Sequence, residues 1–106
     1  MSLHIYPAKY HTKEYFIEGL TVELNGIYYI FLRNHLVGKK ALKVLAHELI
    51  HVQQYYTGRL KKVDKQNFEF EGRVYTKKLD IENNVWEAEA YNYQAKLVTK
   101  ISKQLP

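Results

Sequence analysis

Cysteine is absent from the 106 residues. That excludes disulfides and every zinc site built on thiolates, so a bound metal has to be held by imidazole and carboxylate. No stretch approaches the roughly 20 apolar residues that cross a bilayer. The first residues, MSLHIYPAKYHTKEY, lack a basic segment leading into an apolar run. A soluble, cytoplasmic protein without a membrane partner is the expectation. Repeats, low-complexity tracts and interdomain linkers are missing too. A chain this short encloses one modest core, so a single domain over residues 1–106 is expected. Acidic residues are the minority, eleven against sixteen Lys and Arg, for a net charge of +5. The basic excess is scattered over Lys39/Lys40/Lys43, Lys61/Lys62/Lys65 and Lys96/Lys100/Lys103 with no aromatic-interleaved motif. It reads as a solvated surface, and nucleic acid is not the expected partner.

Apolar and aromatic side chains are plentiful: 46% of the chain is hydrophobic, with ten Tyr, four Phe and one Trp. That is enough to build a core. In LTVELNGIYYIFLR (20–33), Leu20, Val22 and Leu24 alternate with Thr21 and Glu23, and Asn25-Gly26 supplies a two-residue turn. The spacing predicts a tight hairpin. The returning strand is apolar on both faces, which places it under cover or along a cleft. After Gly38 no Gly or Pro interrupts the chain until Gly58, and apolar positions cover most of a helical circumference, leaving Lys40, Lys43, Gln53 and Gln54 to solvent. Residues 58–67 read as a polar loop. FEFEGRVY (68–75) reads as a second hairpin, and residues 84–102 as another helix.

The central helix contains HELIH, residues 47–51. Histidines four apart lie one above the other on a helix, about 40° apart around its axis. His47 and His51 can therefore grip one ion, while Glu48 stays close enough to move a proton from water activated there. A catalytic zinc usually has three protein ligands and one open position. His4, His11 and His35 stand alone in strand or loop and read as surface or turn residues. On the last helix, Glu87 falls in the middle of the apolar face among Trp86, Ala90, Leu97 and Ile101, whereas Glu89 falls with Asn92, Lys96 and Lys100 on the wet face. A carboxylate aimed into a core needs a cation. Either a lysine or arginine pairs with Glu87, or Glu87 is the missing metal ligand; the second choice resolves both anomalies at once.

HELIH followed, after a hairpin, by WEAEAY on a second helix resembles the gluzincin metallopeptidases, and in size and layout most resembles the minigluzincins and small phage and bacterial proteins of the same plan. The resemblance covers about residues 15–100. It implies zinc held by His47, His51 and Glu87, with Glu48 as general base in peptide-bond hydrolysis. It also implies strand addition of an extended peptide or protein substrate along Ile27, Tyr29, Phe31 and Arg33; plain core packing is the equal alternative for that strand. Many related sequences carry aspartate where this chain has Tyr91, at a position that orients a ligand histidine. Asn83, Asn84 and Tyr91 are the candidates for that role here, and Tyr91 and Tyr55 the candidates for an oxyanion donor. Minigluzincins include latent forms, so weak or latent activity belongs to the expectation. A zinc-binding but non-catalytic domain, and a metal-free basic binding protein, stay open. The fold expected is α+β: a small antiparallel sheet with hairpins, packed on the HExxH helix and a C-terminal glutamate-bearing helix.

Overall fold

A computed structural model describes residues 2–8, 18–33, 36–76 and 84–104. The expected hairpin forms. Strand β2 (Gly19–Leu24) turns back into β3 (Ile27–Arg33), with Leu24 opposite Ile27. Asn25 and Gly26 both take positive φ, 51° and 79°, and the Glu23 carboxylate accepts the Gly26 N–H at 2.9 Å. These are the dihedral signs of a type I′ turn, whose twist matches that of the strands it joins.

The sheet is mixed, not antiparallel. Strand β1 (Ser2–Ala8) pairs in parallel with β3, from Ser2 opposite Ile27 to Ala8 opposite Arg33, giving the order β1-β3-β2. This explains why β3 is apolar on both faces: it is the central strand. It also overturns the assignment of Ile27, Tyr29, Phe31 and Arg33 to a substrate-binding edge. Both rows of β3 backbone groups are already engaged, by β1 and by β2. Among the described residues, β1 and β2 are the two border strands, and β2 is the one beside Glu48.

Helix α1 (Gly38–Tyr56) lies across one face of this sheet. Tyr28, Ile30 and Val52 are buried there, with Leu3, Leu32, Leu45, Leu49 and Tyr55 packed around them. After Tyr56 the chain turns at Gly58, whose φ of +76° suits glycine and whose N–H bonds back to the Tyr55 carbonyl. Lys40, Lys43 and Gln53 are exposed as expected, but Gln54 is fully buried. Helix periodicity alone misplaces Gln54, because a second layer packs over its side of α1.

That layer starts in the segment expected to be loop. Strands β4 (Leu60–Lys62), β5 (Asn67–Phe70) and β6 (Arg73–Thr76) form an antiparallel sheet in that order. The turn at Glu71-Gly72 has φ of 51° and 86°, so the second hairpin also uses two positive-φ residues. Helix α2 (Val85–Gln104) follows. Asn84 caps it, its side-chain oxygen accepting the Glu87 N–H at 3.1 Å. Trp86 in the first turn packs with Leu60 and Phe70 in a second cluster of buried residues. The architecture is α+β, and none of the described helices is long and apolar enough to cross a membrane.

Candidate metal centre

One turn of α1 carries His47 and His51, both buried, at 8% and 7% exposure. The first turn of α2 carries Glu87 opposite them. His47 Nε2 lies 3.3 Å from Glu87 Oε2, His51 Nε2 touches Glu87 Oε1, and the two Nε2 atoms are 3.2 Å apart. One ligand atom from each of the three residues falls within 4.8 Å of the others. Among the described residues, the charged partners of Glu87 are these two histidines, with no lysine or arginine in reach. Of the two readings open for Glu87, the structure brings it to the histidines.

The hydrogen bonds behind the rings decide what the centre can bind. His51 Nδ1–H donates to Gln54 Oε1 at 2.9 Å, and His47 Nδ1–H donates to Gln94 Oε1 at 2.8 Å. Gln54 cannot be turned round, because its Nε2 donates to the Trp86 carbonyl at 3.0 Å and to Glu89 at 3.1 Å. With the proton held on Nδ1, each neutral ring turns a bare Nε2 lone pair toward Glu87. When both rings are neutral, two imidazole lone pairs and a carboxylate therefore converge, and a metal ion or a proton has to stand between them. Such a set could hold a metal ion, and its nitrogen and oxygen ligand atoms are of the kind that bind zinc and similar transition metals.

Electrostatics favour positive charge at the two histidines. Burial pushes Glu87 up, yet hydrogen bonds and charge from both histidines outweigh it and hold its carboxyl down at about 2. Burial opposes charge on His47 and His51, but Glu87, aided by Gln94 and Gln54 respectively, raises both above the ordinary histidine value. Without a metal, protons take its place.

Glu48 is 7% exposed. Burial raises its pKa, and the Thr21 hydroxyl, donating to Glu48 Oε1 at 2.7 Å, partly offsets this. Strand β2 comes this close because residue 19 is glycine: a Cβ there would lie 2.7 Å from Val44 Cγ1 and 2.9 Å from Glu48 Cγ. Neither Thr21 nor Gly19 was singled out from the sequence, although alternation along β2 already set Thr21 on the face opposite Leu20 and Val22.

A cleft of about 520 Å³ opens onto His47, Glu48, His51 and Glu87, with Tyr55 and Tyr91 also lining it. Tyr91 does not orient a ligand through a hydrogen bond. Its ring packs against His47 with centroids 4.6 Å apart, and Gln94, one turn further along α2, supplies the orienting acceptor. Asn84 is committed to the helix cap, and Asn83 lies outside the described residues. His4 is exposed on β1 and stacks on Tyr29; His11 and His35 lie outside the described residues. The helical wheel also separated Glu87 from Glu89 too sharply. Their side chains are 24% and 20% exposed, because Arg59 from the second layer covers the Glu89 side of α2. Comparison with family models, curated proteins and solved structures finds no match to this chain.

Proposed function

We propose that this chain is a zinc-dependent peptide hydrolase of minimal gluzincin type, with His47, His51 and Glu87 as the metal ligands. The observation that carries the reading is the convergence of two Nε2 lone pairs and a carboxylate beside a buried glutamate, on the floor of an open cleft. Zinc, when bound, supplies a Lewis acid that makes water a nucleophile at neutral pH and polarises a carbonyl. Glu48 is the proton carrier. It accepts a proton from the attacking water and passes it to the departing amine, a role helped by burial that raises its proton affinity. Thr21 holds Oε1 of that carboxylate, so Glu48 keeps one orientation through the transfer. An extended peptide pairs with β2, the border strand next to Glu48, and its side chains enter the cleft beside Leu20 and Tyr55. The exposed Tyr91 hydroxyl is the donor offered to the developing oxyanion.

Metal analysis and a peptide-library assay test this reading together. The purified protein should hold one zinc per chain, and His47→Ala or Glu87→Ala should lose it. Cleavage should require zinc and stop with chelator, and Glu48→Gln should lower turnover about 10²- to 10⁴-fold while zinc stays bound. A wild-type protein that takes up no zinc rejects the centre. Cleavage that survives Glu48→Gln rejects the base.

A further inference from the structure

We infer that Arg59 and Glu89 are positioning residues for His51, acting through Gln54 to decide which ring nitrogen of His51 carries the proton. The inference rests on the metal-centre reading above. Arg59 follows Gly58 at the end of α1 and enters β4, a place where the sequence shows only a basic loop. Its guanidinium donates from Nη1 to Glu89 Oε1 at 2.9 Å and from Nε to Glu71 Oε1 at 2.9 Å, and it lies over the Phe70 ring. Glu89 Oε1 also accepts from Gln54 Nε2 at 3.1 Å, and Gln54 Oε1 accepts from His51 Nδ1 at 2.9 Å.

The direction of each bond in this chain is set by the one before it, and at Gln54 by the Trp86 carbonyl as well. A guanidinium has no acceptor, so Glu89 remains an ionised acceptor beside it; a carboxylate in that state has no proton to give, so Gln54 must turn its NH₂ toward it. The Gln54 carbonyl then faces His51, and His51 must place its proton on Nδ1. Turning Gln54 round would set its carbonyl oxygen against the Glu89 carboxylate and the Trp86 carbonyl, in a side chain with no exposure to water. The far end of the chain is the bare Nε2 of His51 that faces Glu87. Arg59, which touches neither the cleft nor the ligands, thus works as the fixed end of a directional relay. His47 is held separately by Gln94 and provides an internal control.

The test reads the ring tautomers of the zinc-free protein by ¹⁵N histidine NMR at alkaline pH, alongside zinc affinity measured by chelator competition. Wild-type His51 should be protonated at Nδ1. Glu89→Gln keeps the shape but is both donor and acceptor, so it should lower the Nδ1–H population of His51, leave His47 unchanged and weaken zinc about tenfold. Arg59→Met leaves Glu89 ionised at this pH but no longer holds its carboxylate against Gln54, so it should give a smaller shift of the same sign, and Arg59→Lys, which is still only a donor, should restore much of it. An unchanged His51 tautomer in Glu89→Gln and Arg59→Met overturns the inference. So does an equal shift at His47, which would mean general loosening. If wild type binds no zinc, the metal reading falls, and the tautomer measurement alone decides the relay.

Discussion

Gly19 and Glu48 show how much at this centre rests on single atoms. A methyl group at residue 19 would meet Val44 Cγ1 and Glu48 Cγ at under 3 Å, and a valine side chain on a helix strongly prefers a single rotamer. Gly19→Ala should therefore push β2 off α1, break the Thr21–Glu48 bond and lower stability by about 1–3 kcal/mol, measured by denaturant unfolding. The pH dependence of the metal-free protein follows from the charge of the cluster. The Glu87 carboxyl, lowered to about 2 from an ordinary 4.5, contributes stability above 4.5 that is lost as pH falls toward 2. His47 and His51 are raised above an ordinary 6.5, so their contribution is complete below 6.5 and is lost as pH rises through their folded values. Both contributions are present together between 4.5 and 6.5. In that window the thermal midpoint of wild type should exceed that of Glu87→Gln by the most, and an equal difference at pH 9 would contradict the assignment.

At the scale of elements, the first turn of α2 does two jobs through neighbouring residues. Trp86 closes the second cluster, its ring against Phe68, Phe70 and Tyr75, while Glu87 reaches His47 and His51 on α1. Trp86→Ala should cost about 3–5 kcal/mol as a large-to-small change in a packed site. It should also weaken zinc, because the turn that aims Glu87 loses its anchor; zinc affinity unaffected by a large loss of stability would separate the two jobs. Both hairpins were legible in the sequence because Asn25-Gly26 and Glu71-Gly72 are local devices that hold their register through backbone sign alone. Strand β1 was not legible as a parallel partner of β3, since parallel pairing leaves no turn signature and depends on what else covers the sheet. The short β4 was hidden for a related reason. Its apolar content is Leu60 alone, with Lys61 and Lys62 exposed, and only pairing with β5 makes it a strand.

For the molecule as a whole, the centre is a cross-link between two helices distant in sequence: His47 and Glu87 are 40 residues apart. A ligand that binds only when both helices are docked stabilises the folded chain by mass action, about 2.7 kcal/mol at a free concentration one hundred times Kd. Zinc should raise the thermal midpoint, chelator should reverse the rise, and His51→Ala should abolish it. A rise of equal size in His51→Ala would place the metal elsewhere.

By itself, the sequence determined the two hairpins, the extents of the two long helices, the HExxH spacing and the oddity of Glu87 on an apolar face. All of these follow from turn chemistry and helical period, which act over a few residues. The tertiary structure decided that β3 is central and that β1 and β2 are the border strands. It also supplied the acceptors behind the histidines, Gln54 from α1 itself and Gln94 from 47 residues away, and brought Arg59 to Glu89. A buried glutamine looks like a surface glutamine until the layer that covers it is known, because its burial is favourable only when every polar atom finds a partner, and those partners arrive by docking.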